Sequence, residues 1–234
     1  MTDKIVLPRM PSFRLDGRRA LVTGAGRGIG RAAAAALADA GAEVTLAARS
    51  ADEVEAVASA IRDAGGKAEA LTLDVTDTAT AKAEIAARGP FQILINNAGT
   101  NRPALLADMT ESDYDAVTDL NVRASIFVAQ AVAQGLMEAK LPGSIINISS
   151  QMGHVGGPKR TVYCATKHAI EGATKAMAWE LGPQGIRVNT ICPTFIETPM
   201  TEGMLEDDAF REQVAANIAL GRVGQVEDIM GGVI

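Results

Sequence analysis

Tyr163 and Lys167 stand four residues apart in a stretch that reads as helix, so both project from one face and can share a site. Ser150 closes the apolar β-type run Gly143 to Ser149, the end of a strand at which a doubly wound sheet holds its ligands. A phenol, an ammonium and a hydroxyl suit carbonyl chemistry. Reduction needs a proton donor at oxygen, a group that stabilises the developing alkoxide, and hydride delivery to carbon. Tyr163 can donate and Ser150 can polarise. In the oxidative direction Tyr163 has to act as base, and an unperturbed tyrosine pKa of about 10 is roughly 3 units too high at neutral pH, a deficit of about 4 kcal/mol. The Lys167 ammonium is the expected source of much of that difference. By itself a Tyr-x-x-x-Lys pair is equally an aromatic edge beside a surface lysine.

The hydride needs a carrier, and the first strand supplies a candidate cradle for one. Thr23-Gly24-Ala25-Gly26-Arg27-Gly28-Ile29-Gly30 leads straight from an apolar run into a helical one. The spacing Gly24-x3-Gly28-x-Gly30 departs from the strict G-x-G-x-x-G, yet the physics is similar. Glycine permits the tight turn and the close approach of backbone to a pyrophosphate, whose charge meets free amides at a helix N-terminus. Alone, the turn could be an ordinary one. Its strand-turn-helix setting makes Gly24, Arg27, Gly28, Ile29 and Gly30 candidate dinucleotide contacts, and Lys167 a candidate for the nicotinamide ribose.

Cofactor choice is read at the end of the second strand. NAD-selective folds present Asp or Glu there, about 20 residues downstream, for the ribose hydroxyls. This chain has Leu46-Ala47-Ala48-Arg49-Ser50. Ala48 removes the repulsion of a 2′-phosphate, and Arg49 can meet that phosphate as a planar fork, with Arg27 as a second cation and Ser50 alongside. NADP(H) is the expected cofactor. The competing reading of Arg49 is a solvated charge opening the next helix.

These groups need a scaffold, and the rest of the chain supplies its pattern. Short apolar runs at Ala20 to Thr23, Glu43 to Ala47, Ala68 to Leu73, Phe91 to Asn96, Gly143 to Ser149 and Ile186 to Ile191 alternate with helical runs. Those helices are read at Gly28 to Ala40, Ala51 to Ala64, Thr78 to Ala87, Glu111 to Lys140 and Thr161 to Leu181. Right-handed crossovers then favour an α/β doubly wound parallel sheet with helices on both faces, a Rossmann fold. After Ile191 the rhythm changes. Cys192 to Met200 leads into an acidic helical stretch around Thr201 to Ala216, which reads as a lid or substrate loop over the strand ends.

With the glycine turn, Asn96-Asn97-Ala98-Gly99, Asn121, Ser150 and Tyr163-x-x-x-Lys167 in place, the sequence resembles the short-chain dehydrogenase/reductase family from Arg19 to about Gly231. The similarity extends to members of the 3-oxoacyl-carrier-protein reductase and sugar or polyol dehydrogenase kinds. It implies a hydride transfer between NADP(H) and a ketone or secondary alcohol, with Asn121 holding a water that links Lys167 to solvent. It implies further that Asp74 and Val75 meet adenine, that Asn97, Ala98 and Gly99 surround the adenosine ribose, and that Pro193, Ile196 and Thr198 meet the nicotinamide carboxamide. On the residues alone, Asn121 could be a satisfied packing residue, Asp74 a helix N-cap, and Asn97 a strand-ordering group.

Two departures stand out. Pro193-Thr194 replaces the family's frequent Pro-Gly, and nothing follows Ile234 where relatives continue into a seventh strand. The expected strand order is therefore 3-2-1-4-5-6 without a seventh. Relatives commonly assemble through the helices carrying Asn121 and Tyr163 and through that C-terminal region, which implies a homo-oligomer, dimer or tetramer, with the helix pair as the main contact.

Composition narrows the remaining classes. At 234 residues and 47% hydrophobic, the chain is expected to form an N-terminal arm, 1–18, and one catalytic domain, 19–234. A net charge of −6 disfavours nucleic acid and anionic lipid. Two cysteines, Cys164 and Cys192, both read as lying in helix or strand core, are too few for a disulfide framework and fit a reducing, cytoplasmic setting. The start lacks a signal peptide's apolar run, and no stretch reads as membrane-spanning. His154 lies where it could touch a small-molecule substrate, and His168 is expected to face away. Two histidines and two cysteines show no metal-ligand spacing, so no metal is expected. The rival to an enzyme is a silent nucleotide-binding regulator or scaffold, against which Asn121, Ser150, Tyr163 and Lys167 together argue.

Overall fold

Side chains alternate across the strands of a sheet that is covered on both faces. In a computed structural model describing residues 7–234, β1 (Arg19–Thr23), β2 (Glu43–Ala48), β3 (Lys67–Thr72), β4 (Ile93–Asn96), β5 (Gly143–Ile148) and β6 (Ile186–Ile191) are all parallel. Their order is β3-β2-β1-β4-β5-β6, as expected, and these six are the strands of the sheet among the described residues. The chain runs outward from β1 to β3 and then returns to start the other half at β4, so the switch point lies between β1 and β4, where open α/β sheets bind ligands.

Ala20 and Val22 of β1, Ile93 and Ile95 of β4, and Ile146 and Ile148 of β5 face one layer, formed by α1 (Gly28–Asp39), α2 (Ala51–Asp63) and part of α9 (Glu227–Met230). Leu21, Leu94 and Ile145 face the other, formed by α3 (Thr78–Arg88), α5 (Ser125–Ala139) and α6 (Thr161–Leu181). The alanine run of α1 buries Ala32, Ala33, Ala34 and Ala36, letting that helix lie close to the sheet. Leu21, Leu37, Leu46 and Leu94 are fully enclosed, and truncating any of them to alanine costs about 2–5 kcal/mol.

Three expectations need correction. The single helix read from Glu111 to Lys140 is α4 (Glu111–Thr118) and α5, joined by a wider π turn at Asp119–Ala124. The acidic stretch after Thr201 is two helices, α7 (Glu202–Leu205) and α8 (Asp208–Ala216), because Asp207 accepts the amides of Ala209 and Phe210 and starts a new helix. Cys192 lies just past β6 rather than in strand core, and both cysteines are half-buried. The arm is partly anchored: residues 1–6 lie outside the described residues and 7–13 are mostly exposed, but Leu15 donates its amide to Ala40 and Arg14 reaches the Asp39 carbonyl. Among the described residues no helix is long and apolar enough to cross a membrane.

Candidate active site

Tyr163, Lys167, Ser150 and Asn121 converge at the C-terminal ends of β4 and β5. Tyr163 and Lys167 lie one turn apart on α6, and the Lys167 Nζ sits 5.6 Å from the centroid of the Tyr163 ring. Lys167 is buried and donates to the main-chain oxygen of Ile148 at 2.8 Å, the last residue of β5. Burial pushes its pKa down to about 8, with Cys192 and Glu171 opposing that fall. Ser150 follows β5 by two residues. Its Oγ accepts the Met152 amide at 3.1 Å and lies beside the Tyr163 hydroxyl. Burial raises the Tyr163 pKa, a rise that contact with Ser150 and the charge of Arg160 only partly offset.

Asn121 owes its place to the π turn. An extra residue in that turn carries its side chain inward, where it is buried. Its amide donates to the Thr100 carbonyl at 2.9 Å and to Thr166 Oγ1 at 3.2 Å, while its oxygen accepts the Thr100 amide at 2.8 Å. The loop after β4 is thereby fastened to α6. A Cβ added at Gly99 would lie 3.3 Å from Asn121 Oδ1 and 4.0 Å from Lys167 Nζ, so the glycine brings main chain, amide and ammonium together.

The second half of the arrangement is a cleft of about 350 Å³ over the switch point. Gly24, Arg27, Gly28, Ile29, Arg49, Ser50, Asp74, Val75, Asn97, Ala98, Gly99 and Thr198 all line it. A larger groove of about 1070 Å³, between α1, α2 and α9, contains none of the candidate residues. Two observations fit the cleft to a dinucleotide. Helices α2, α3 and α4 are closed by Ser50, Asp77 and Thr110, whereas α1 begins with no side-chain cap and no acidic residue in its first turn, leaving its amides to an anion. Gly24 has φ +64°, and a Cβ at Gly30 would overlap the Gly24 carbonyl oxygen, so the turn can lie this close to the helix only with glycine at both positions.

The remaining candidates divide by role. Gly30 is a packing residue and does not line the cleft. Asn97 donates to the carbonyls of Thr23 and Gly24 at 3.0 and 3.1 Å, so its side chain holds the glycine turn while its residue also lines the cleft. Asp74 is not a helix N-cap: it accepts from Thr76, and Asp77 caps α3. Pro193 and Ile196 are off the cleft wall. The Pro193 carbonyl accepts the Gln151 amide, and Ile196 is buried against Gly224, with its carbonyl taken by the Thr201 hydroxyl at 2.6 Å. His168 is exposed, as expected.

The segment after β6 folds around a small core of its own. Leu205, Val214 and Val223 are buried together with Phe195 and Phe210, whose rings meet edge-on at 5.7 Å. Arg160, at the start of α6, lies over the Phe195 ring and reaches Met204 Sδ at 3.3 Å, tying this segment to the loop that precedes Tyr163.

Sequence reasoning missed Glu53. It reads as a favourable acid in the first turn of a helix, but its carboxylate lies against Gly26, lines the cleft and faces Arg27 at 3.9 Å. Glu171, one turn past Lys167, was also missed, because nothing in its spacing distinguishes it from a surface acid. It is buried beside Cys192 and Thr190.

A doubly wound parallel sheet with an uncapped first helix, a glycine cradle and a Tyr-Lys-Ser cluster at the strand ends defines a nucleotide-dependent oxidoreductase acting on C=O and CH–OH groups. Residues 18–209 match the short chain dehydrogenase family model, and the chain belongs to that family. It is 40% identical over 224 residues to a D-erythrulose reductase of Gallus gallus, covering 96% of this chain and 89% of that one. It is 39% identical over 222 residues to an L-xylulose reductase of Bos taurus, covering 95% and 89%. Among solved structures, a gluconate 5-dehydrogenase from Burkholderia cenocepacia J2315 in complex with NADP and tartrate superposes with a TM-score of 0.90 at 37% identity, covering 95% of this chain and 88% of that one.

Proposed function

We propose that the protein is an NADP(H)-dependent reductase of small polyhydroxylated ketones, of the ketose or keto-sugar-acid kind, working reversibly on the corresponding secondary alcohols. The observation that carries the cofactor assignment is the rim of the cleft after β2, where Ala48, Arg49 and Ser50 offer a cation and a hydroxyl, with Arg27 opposite. The names of the relatives support a sugar over the alternative 3-oxoacyl thioester. When bound, the cofactor supplies or accepts the hydride.

The chain's own groups do the rest. Tyr163 gives its phenolic proton to the substrate oxygen as that oxygen gains charge, and Ser150 donates a hydrogen bond to the same atom. Lys167 would hold the ribose end of the nicotinamide and stands where it can return a proton toward Tyr163. Asn121 fixes the loop after β4 against α6 and, on the family pattern, lends a water to that proton path. On the family pattern Pro193, Ile196 and Thr198 would hold the carboxamide, Thr198 being the one of the three on the cleft wall, and the segment carrying Phe195 and Phe210 would exclude water from the ketone. The working form is a homo-oligomer built on α4, α5 and α6, where Trp179 is 86% and Phe127 43% exposed.

The test is a set of initial rates with NADPH and with NADH over four-, five- and six-carbon ketoses, keto-sugar-acids and 3-oxoacyl thioesters. The proposal expects kcat/KM to favour NADPH and a hydroxylated ketone. Preference for NADH removes the cofactor assignment, and preference for the thioester removes the substrate class.

A further inference from the structure

His154, Glu171 and Cys192 come from three separate elements and meet at one point behind Ser150. His154 follows the short turn after Ser150, Glu171 lies one helical turn beyond Lys167 on α6, and Cys192 directly precedes Pro193. We propose that these three side chains form a binding site for one zinc-like divalent metal ion.

One ligand atom from each residue lies within 4.8 Å of the other two, close enough to be drawn onto one ion. His154 Nε2 lies 3.4 Å from Cys192 Sγ and 3.8 Å from Glu171 Oε2, and Cys192 Sγ lies 3.2 Å from Glu171 Oε1. With Zn–S about 2.3 Å, Zn–N about 2.05 Å and Zn–O about 2.0 Å, a tetrahedral centre separates S and N by about 3.6 Å, N and O by about 3.3 Å, and S and O by about 3.5 Å. The sulfur–nitrogen edge differs from this by a few tenths of an ångström, and a rotation of the Glu171 carboxylate brings one of its two oxygens to the third corner. A sulfur, an imidazole nitrogen and a carboxylate oxygen suit zinc or cobalt, whereas magnesium and calcium take oxygen ligands. Thiolate and carboxylate together balance a dication.

A separate observation points to the same place. Ser149 Oγ is buried, only 4% of the residue being exposed, and lies against Glu171 and Cys192, where its hydroxyl favours the ionised form of each. The cluster thus has a buried polar wall as well as three ligand atoms, and the same hydroxyl can meet a water on the metal's fourth position. Gly153 lets the His154 loop descend onto the pair, since a Cβ there would lie 3.0 Å from both Ser149 Oγ and Glu171 Cγ. His154 itself is exposed, so an ion has a path in from solvent.

Binding one ion replaces the Cys192 S–H bond by a metal–sulfur bond and sends that proton to solvent, with no change of oxidation state. Burial and the neighbouring Glu171 push the free thiol up, and the dication reverses that bias. The bound ion would clamp the loop after Ser150, the middle of α6 and the segment entering Pro193 to one another.

The experiment uses the full chain, free of affinity tag, nucleotide and chelator, titrated with Co²⁺ alone. The expected result is one cobalt per chain, with the near-ultraviolet thiolate charge-transfer band and the strong visible bands of four-coordinate cobalt, all lost when Zn²⁺ is added. Cys192→Ala abolishes the charge-transfer band. His154→Gln, at an exposed position that the fold tolerates, weakens binding by more than about tenfold, the least that even outer-shell changes cost. Zn²⁺ also raises Tm in the parent protein but not in His154→Gln. Failure to bind at one equivalent, a six-coordinate spectrum without the thiolate band, or binding unchanged in both variants would show a hydrogen-bonded cluster only and overturn the proposal. None of these outcomes depends on which ketone or nucleotide the enzyme uses.

Discussion

Lys167 aims its ammonium at the carbonyl oxygen of Ile148, 2.8 Å away, and holds it 5.6 Å from the centroid of the Tyr163 ring. The sequence leads one to expect that this lysine lowers the tyrosine's pKa. In the structure burial dominates both residues: it raises the phenol and lowers the ammonium to about 8. Burial thus weakens the charge that Lys167 offers to the phenol, and the positive charge of an oxidised nicotinamide, when bound, would add to what remains.

The first prediction follows from the sign of the lysine shift. The native pKa, about 8, lies below the unfolded value, 10.5, so between these pH values the unfolded chain binds the extra proton. Stability therefore rises with pH across that window, by at most about 1.4 kcal/mol per pH unit. Below pH 8 both states are protonated and the cost of the buried charge is fully present. Urea denaturation of the cofactor-free protein and of Lys167→Met at pH 7, 8, 9 and 10 should give a stability difference that is flat at the low end and moves toward the parent protein above pH 8. A constant difference would show that Lys167 keeps its proton.

Tyr163→Phe separates binding from proton transfer. The ring and its contact with Lys167 remain while the transferable proton is lost, so NADPH affinity should stay within about twofold and kcat should fall by roughly a hundred- to ten-thousand-fold. Fluorescence titration of NADPH and steady-state rates measure the two quantities. Retention of most turnover would take Tyr163 out of the acid/base role.

Gly30→Ala tests the packing of the nucleotide turn. The methyl overlaps the Gly24 carbonyl oxygen and crowds Asn97, so the turn has to move away from α1. Overpacking of this kind costs about 1–3 kcal/mol, and the displaced Gly24 should weaken nucleotide binding as well. Chemical denaturation and NADPH titration of the same variant should both shift. Unchanged values in both would mean that the turn relaxes freely.

The sheet was legible because its strands are short apolar runs separated by helical ones; the right-handed crossover rule leaves few topologies, the open doubly wound sheet being the simplest, and the family resemblance supplied the order. Ser150, Tyr163 and Lys167 could be placed for the same reason: strand ends and helical spacing are local facts. The π turn at Asp119–Ala124 was not legible, since the apolar pattern of Leu120, Val122, Ala124 and Phe127 continues through it and one extra residue leaves no mark on composition. Glu53 has an ordinary explanation as a first-turn acid, and only the return of the glycine loop across α2 gives it a second role. The His154, Glu171 and Cys192 cluster is assembled by tertiary structure from positions with no periodic relation.

Cofactor preference should invert on two changes at the β2 rim. Ala48→Asp restores a ribose-binding carboxylate and Arg49→Leu removes the planar cation. Loss of charge-assisted hydrogen bonds worth about 1.5–3 kcal/mol corresponds to roughly a 10- to 150-fold fall in kcat/KM for NADPH, with NADH gaining. Equal efficiencies before and after the double change would count against Arg49 as the phosphate partner.

Glu53 sharpens that test, because it is the carboxylate that remains near the rim. It faces Arg27 across 3.9 Å with both side chains well exposed, so their attraction is weak and screened. A 2′-phosphate arriving beside Arg27 must compete with Glu53 for the guanidinium and also meets its negative charge. Glu53→Gln removes both penalties while keeping the shape of the side chain and the Ser50 cap, which uses the main-chain amide of residue 53. An exposed charge interaction of up to about 1 kcal/mol corresponds to a KM for NADPH lower by at most about fivefold, with KM for NADH nearly unchanged. The gain should shrink as salt is raised from 0.05 to about 0.5 M, as the Debye length falls. An equal improvement for both cofactors would place Glu53 against the shared pyrophosphate instead of the 2′-phosphate.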